Sequence, residues 1–295
     1  MIVTGPTGVG KSSFAVALAG RIGGEILGAD AFQIYAGLPV LTAQPSAAQL
    51  AAVPHHLVGF LDLREIYDVA RFARTARQLL SEIQSRGKIP ILVGGTGLYL
   101  KALTHGLAEM PPVDPALRDR ISGMPLQDVV EELRGADPAA PLQIDLCNPV
   151  RVRRALEIVL QTGRPLADSR GHWSQPSSEF RGLVLTRDRE ELRLRIRANV
   201  EAMLAGGAVE EVRRAAFAGG GARRAIGFRE IEDFLAGGIS ESECREAIAT
   251  ATWRYAKRQL TWCRTQFDFP ALDLTQFSST PDAVEKALGL LAEHE

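Results

Sequence analysis

The sequence predicts an α/β protein, a P-loop-containing doubly wound parallel sheet with a small helical insertion and a helical C-terminal part. Three observations carry that expectation. The octapeptide GPTGVGKS, Gly5 to Ser12, fits the phosphate-cradling pattern GxxxxGK[ST] and stands between an apolar strand and a helix. Over the N-terminal third, short apolar runs alternate with amphipathic stretches of helical period, as strands joined by crossover helices do. A tract bounded by proline and glycine then interrupts the alternation.

Taken in order, MIV reads as a short strand and SSFAVALAGRI as the helix after the loop. GEILGAD is a second strand ending at Asp30. YDVARFARTARQLLSEIQSRG sets Val69, Phe72, Ala76, Leu79, Leu80 and Ile83 at helical spacing, and IPILVGG is a buried strand. The pattern breaks at EMPPVDP, and GMPLQDVVEELRGADPAAP is a short helical insertion. NPVRVRRALEIVLQTGRP opens with an Asn cap and Pro at the first helical position, and stops at Gly163. GLVLTRD is a further strand, a mostly helical run extends from Arg189 to Thr265, and FPALDL closes the sheet. The expected division is a core over residues 1–110 completed by 146–188 and 266–295, an insertion at 111–145, and a helical region at 189–265.

Composition narrows the function classes. A net charge of −1 argues against a globally basic protein but leaves room for a local basic face. Cys147, Cys244 and Cys263 are isolated, so neither a disulfide framework nor a zinc site is expected, and free thiols suit the cytoplasm. No apolar run reaches the roughly 18 residues of a membrane span. The first residues already read as a strand, which leaves no room for a signal peptide. Nothing in the sequence points to an obligate protein partner.

The chemistry starts at the loop. Gly5, Gly8 and Gly10, with Pro6, Thr7 and Val9 between them, let backbone N–H groups converge on an oxyanion. Lys11 adds a point charge, and the Ser12 hydroxyl is the expected Mg²⁺ ligand. Such a loop reads phosphate oxygens and not what they are attached to, so nucleotide or ATP binding stays open on these residues alone. Ligands of a doubly wound sheet sit at the carboxyl ends of its strands. Those ends carry the loop, Asp30 and GGTGLY. A loop-type NTPase usually has an acidic residue after a later strand to help hold Mg²⁺. Here ILVGGTG ends in glycines and Thr96, and the carboxylate is Asp30, where small-molecule kinases place the residue that handles the acceptor. A group transferase with a phosphorylated donor is therefore expected over a motor or switch; taken alone, Asp30 reads first as a cap or turn residue, and its pairing with the phosphate loop turns the reading to a base.

Between Asn148 and Val200 eleven Arg face six Asp plus Glu, led by Arg151, Arg153 and Arg154. The alternatives are a solvated helix face or a phosphate-binding surface, and arginine with almost no lysine leans toward the second. His55 and His56 lack a third ligand nearby and read as structural.

GPTGVGKS, ADAFQIYAGLPVLTAQPS, PHHLVGFLDLREIY, ILVGGTGLYLKAL, NPVRVRRALEI and RRAIGFREI occur in that order along nearly the whole chain. In this the sequence resembles the tRNA dimethylallyltransferase (tRNA isopentenyltransferase, IPP transferase) family. The resemblance implies a dimethylallyl diphosphate donor, Mg²⁺, and the anticodon stem-loop of tRNA as acceptor, the prenyl group going to N6 of the adenosine 3′ of the anticodon. It implies Asp30 as general base, Thr7 and Arg224 as further catalytic residues, and tRNA contacts at Asp30, Ala31, Phe32, Gln33, Thr96, Arg118, Val150, Arg151, Val152, Arg153 and Arg154. The adenine must leave its stack to reach a buried carboxylate; Phe32, Tyr35 and Tyr99 are candidates to stack on it and equally candidates for the core. Ala31 and Gln44 stand where the family commonly has Ser and Lys, which removes one hydroxyl contact and one basic contact. Alternatives on the same residues are a small-molecule kinase, an adenylate isopentenyltransferase, and a non-catalytic RNA-binding module.

Overall fold

Apolar side chains and crossover helices build one parallel sheet in this computed structural model, which describes residues 1–106, 114–169 and 180–293. The first unit comprises Met1–Thr104 and Pro176–Glu295. Its N-terminal elements are β1 (Ile2–Thr4), α1 (Lys11–Ile22), β2 (Gly24–Gly28), α2 (Ala47–Ala52), β3 (His55–His56), α3 (Val69–Ser85), β4 (Ile89–Val93) and α4 (Gly97–Thr104). β1 and β2 are buried at every position, as strands covered on both faces must be. α3 starts where the Asp68 carboxylate accepts from the Arg71 N–H, and buries Phe72, Ala73, Ala76 and Ile83.

The second unit, His105–Gln175, holds α5 (Pro115–Gly123), α6 (Leu126–Ala136), α7 (Pro149–Thr162) and α8 (Leu166–Ser169). It is wider than the insertion expected at 111–145, and the reason is the apolar face of α7. Val152, Ala155, Leu156 and Val159 share a core with Ile121 of α5 and Val129 and Leu133 of α6. The helix forms as its sequence foretold, with Asn148 accepting from the Arg151 N–H, Pro149 in the first turn and Gly163 left-handed at its end. It belongs to this unit and not to the sheet. Residues 109–113 of the proline-rich break lie outside the described residues.

The first unit resumes with β5 (Gly182–Thr186), α9 (Arg189–Ala205), α10 (Ala208–Arg214), α11 (Phe228–Leu235), α12 (Glu241–Gln266), β6 (Ala271–Asp273) and α13 (Thr280–Glu293). The expected C-terminal helical run is thus four helices. The strands order as β3-β2-β4-β1-β5-β6, and every pairing is parallel. From β1 the chain winds first to one side, through β2, β3 and β4, and then to the other, through β5 and β6. The carboxyl end of β1 is therefore the switch point, where such sheets bind ligands.

Candidate functional site

The loop at that switch point needs glycine. Gly5, at φ 141°, lies so close to β5 that a Cβ would stand 2.4 Å from the Leu185 carbonyl oxygen. Gly10, at φ 107°, turns the chain into α1 in a conformation that costs other residues strain. The first N–H groups of α1 have no intrahelical partner, so they and the helix dipole face the loop's cavity. Lys11 folds back on the loop, its ammonium donating to the carbonyls of Gly5 (3.0 Å) and Pro6 (2.9 Å). Burial pulls its pKa from 10.5 to about 8, against the opposing pull of Asp30 and Cys263.

Asp30 sits two residues beyond β2. One carboxylate oxygen accepts from the N–H groups of Phe32 (2.9 Å) and Gln33 (3.3 Å), a turn that fixes the group. Thr96, after β4, accepts from the Ala31 N–H at 3.0 Å and donates its own N–H to the Ala29 carbonyl. The ends of β2 and β4 are thus tied together around Asp30. Gln33 donates to the carbonyls of Thr42 and Ala43, and Gln44 to those of Gln33 and Tyr35. Gln44, where a lysine was expected from the family pattern, fastens the turn.

Three residues reach the loop from far along the chain and were not singled out in the sequence. Gln259 of α12, almost fully buried, accepts from the Thr7 N–H (2.7 Å) and donates to the Gly95 carbonyl (3.0 Å). Arg187 and Arg195 donate to the carbonyls of Val9 (2.9 Å) and Gly8 (3.0 Å). They flank a polar cavity of about 210 Å³ beside Gly10 and Ser13, walled also by Ser278, Ser279 and Thr280. The sequence signal for Arg187 is its place directly after β5. For Gln259 it is an uncharged polar residue on a helical face shared with Ala256 and Cys263. Tyr255, one turn earlier on α12, reaches Thr96 and Gln259, and burial with the nearby Asp30 charge pushes its hydroxyl up to about 12. The outer face of α12 presents Arg254, Lys257, Arg258 and Trp262 around a shallow hollow of about 630 Å³.

Other expected residues fall elsewhere. Tyr99 is buried, stacked on Phe72 at 4.1 Å, with its hydroxyl donating to the Tyr67 carbonyl. Tyr35 is 2% exposed and donates to the Glu65 carbonyl. Both are core residues and not stacking platforms; Phe32 is half-exposed. Arg224 is exposed in the turn at Ala222–Arg224, which packs beside Tyr35, and among the described residues its guanidinium makes no hydrogen bond or ion pair. His56 and Arg86 both pair with buried Glu25 at 2.8 Å, and the His55 ring bonds the Val53 carbonyl, a structural cluster.

In the second unit the arginine cluster divides. Val152 is fully buried, so its side chain is unavailable to any ligand. Arg153 donates to the carbonyls of Ile121 (3.3 Å) and Met124 (2.9 Å), fastening α7 to the end of α5. Arg118 and Arg154 converge on Glu157 at 3.4 and 3.0 Å. Arg151 and Val150 are exposed.

Magnesium takes oxygen ligands and is commonly held by one or two protein oxygens plus substrate phosphates. Ser12, half-buried in the first turn of α1, offers one hydroxyl. Among the described residues no cluster of three or more His, Cys, Asp or Glu could hold a metal. The residues fit an ion carried with a diphosphate, not a protein cage.

Comparison with known proteins finds relatives of the whole chain. The family described as IPP transferase matches residues 33–266. The chain is 43% identical over 268 residues to the tRNA dimethylallyltransferase 1 of Citrifermentans bemidjiense, covering 89% of this chain and 88% of that one. It is 40% identical over 266 residues to the tRNA dimethylallyltransferase of Akkermansia muciniphila, covering 90% of each. Among solved structures, the full-length tRNA isopentenylpyrophosphate transferase of Bacillus halodurans superposes with a TM-score of 0.73 at 31% identity, covering 99% of this chain and 96% of that one. A eukaryotic dimethylallyltransferase acting on tRNA superposes with a TM-score of 0.83 at 26% identity, covering 97% of this chain and 76% of that one. With the family model matching residues 33–266, well over half of the chain, and relatives 40–43% identical over about 90% of it, the chain belongs to the IPP transferase family.

Proposed function

We propose that this chain transfers the dimethylallyl group of dimethylallyl diphosphate to N6 of the adenosine 3′ of the anticodon, position 37, of tRNA, releasing diphosphate. One observation carries the reading: a phosphate loop after β1 and a turn-fixed carboxylate after β2 flank the end of β4, whose Thr96 braces the carboxylate's turn, and the Asp30 charge acts on Lys11 of the loop. The donor's diphosphate lies in the loop. As its C1–O bond breaks, the bond's electron pair goes to the bridging oxygen, and the N6 lone pair forms the new C–N bond. The N6 proton passes to the Asp30 oxygen that the Phe32 and Gln33 amides leave free.

Charge develops on the departing diphosphate, so donors fixed around it favour the transition state. Loop amides, Lys11 and the Thr7 hydroxyl serve there, and Arg224 is the further cation assigned by the family pattern. Mg²⁺ on Ser12 would neutralise diphosphate charge. For the RNA, Ala31, Phe32, Gln33 and Thr96 frame the flipped base, and Arg118, Val150, Arg151 and Arg154 contact the stem-loop. The cationic outer face of α12 offers a further surface for its phosphates. Among the described residues no helix is long and apolar enough to cross a membrane, and the proposed place of work is the cytoplasm, where tRNA is modified.

The test is incubation with dimethylallyl diphosphate and Mg²⁺ plus either unmodified tRNA or AMP, followed by nucleoside mass analysis. The expected product is one dimethylallyl group on the adenosine after the anticodon. Modification of AMP in place of tRNA would assign the chain to adenylate prenylation, and phosphate transfer from labelled ATP would make it a kinase.

A further inference from the structure

The inward stripe of α12 is built from residues one turn apart, Tyr255, Gln259 and Cys263, which share a face by helical geometry. Together they meet the ends of β1 and β4. Tyr255 reaches Thr96, Gln259 joins the donor loop to the loop after β4, and Cys263 lies 3.5 Å from the Thr4 hydroxyl of β1. Gln259 makes the most demanding contact. Its carboxamide has one acceptor and one donor turned to two backbone groups of opposite kind, so neither Glu in its ionised form nor an apolar residue satisfies both. The opposing backbone is matched to it: a Cβ on Gly95 would stand 2.0 Å from the Gln259 Nε2. The bond to Gln259 holds the Thr7 amide and fixes the peptide plane from which the loop begins its turn.

We infer that Gln259 is a positioning residue: through the Thr7 N–H and the Gly95 carbonyl it sets the shape of the diphosphate loop relative to the strand end that carries Thr96. The inference rests on the proposed use of the loop for the donor's diphosphate. Without the carboxamide the loop keeps its glycines and Lys11 but loses the anchor that fixes its amides against the leaving group. Displacements of about 1 Å in such groups cost on the order of 10²-fold in rate.

The experiment compares wild type with Gln259→Ala, Gln259→Glu and Gly95→Ala. It measures pyrophosphate affinity with Mg²⁺, anticodon stem-loop affinity, thermal unfolding, and single-turnover prenylation at saturating substrates. Gln259→Ala and Gly95→Ala should each lower the single-turnover rate on the order of 10²-fold and weaken pyrophosphate binding, with stem-loop affinity unchanged. Gln259→Glu separates positioning from folding. Its protonated carboxyl can donate to Gly95 and accept from Thr7 as the amide does, while its ionised form repels the Gly95 carbonyl. Its rate relative to wild type should therefore rise as pH falls. Pyrophosphate affinity and rate at wild-type levels in the Ala variant would overturn the inference, and so would a Glu variant whose pH profile parallels wild type. Loss of stem-loop affinity in proportion to rate would reassign Gln259 to RNA binding and overturn it as well. Failure of the wild type itself to prenylate the stem-loop would refute the proposed reaction instead, and the pyrophosphate measurement would still decide the role of Gln259.

Discussion

Raising the pH should weaken donor binding through Lys11, and the size of the effect follows from its surroundings. In the free protein the ammonium is buried against two loop carbonyls and titrates at about 8. A diphosphate entering the loop adds negative charge beside it and favours the charged form, so the bound pKa lies higher. Binding then draws a proton from solution: about 0.1 proton at pH 7, about 0.5 at pH 8 and about 0.9 at pH 9. The sign is fixed by which form binds better. Below pH 7 the lysine is already protonated and affinity is flat; above pH 8 it falls by up to about tenfold per unit, or about 1.4 kcal/mol, until the bound pKa is passed. Cys263 and Tyr255 are both pushed upward and stay neutral through most of this window. The assay is calorimetry of a non-transferable thiolo-diphosphate donor analogue with Mg²⁺ at pH 7, 8 and 9, in buffers of different ionisation enthalpy. Lys11→Met should abolish the proton uptake. Wild-type binding without uptake at pH 8 and 9, or equal uptake in the variant, would refute the reasoning.

Three further variants have expected outcomes. Asp30→Asn keeps the turn's hydrogen bonds but cannot take the N6 proton, so stem-loop binding should survive while single-turnover prenylation drops by about 10²–10⁴; near-normal turnover would make Asp30 a turn residue only. Arg153→Ala should cost the second unit roughly 1.5–3 kcal/mol, read by thermal unfolding, because a charged donor to two carbonyls is lost. Arg151→Ala should leave unfolding unchanged and flatten the salt dependence of RNA affinity by about 0.7 logarithmic units, one single-strand phosphate. The opposite pattern in the two arginines would reverse their roles.

What the sequence made legible is local. A glycine loop between strand and helix, an Asn cap followed by Pro, and an aspartate two residues past a strand are all decided by neighbours in the chain. The loop, the start of α7 and the Asp30 turn duly form where the sequence put them. Arg153 of α7 is set apart from its neighbours for a reason visible in retrospect. Val152, Ala155, Leu156 and Val159 repeat at helical spacing, and Arg153, between the buried positions, lies at the edge of that face, where a long side chain reaches back to backbone carbonyls. Tyr35 and Tyr99 lie near the right strand ends, but whether an aromatic near a site faces it or the core depends on packing that no local pattern encodes. Gln259, Arg187 and Arg195 meet the loop across long sequence separations. Only closure of the sheet and the docking of α9 and α12 bring them there.

The end of β4 explains why this loop serves a transferase and not a hydrolytic switch. A loop-type NTPase uses a later strand end to hold an acidic residue near the metal and the attacking water. Here two glycines occupy that end, and neither has room for a side chain: a Cβ on Gly94 would stand 2.1 Å from the Ala29 carbonyl oxygen, and one on Gly95 would strike the Gln259 amide. The bare backbone lets the β2 turn and α12 approach β4 closely. Thr96, the first residue after the two glycines to carry a side chain, accepts from Ala31 and so braces the turn that presents Asp30. Space that would otherwise hold a carboxylate for water is filled by the turn that carries Asp30 and by α12, whose Gln259 holds the Thr7 amide. The nucleophile must then come from outside the protein, on a substrate large enough to reach past the loop. In the proposed reaction an adenine extruded from an RNA loop meets that requirement, its N6 proton passing to Asp30.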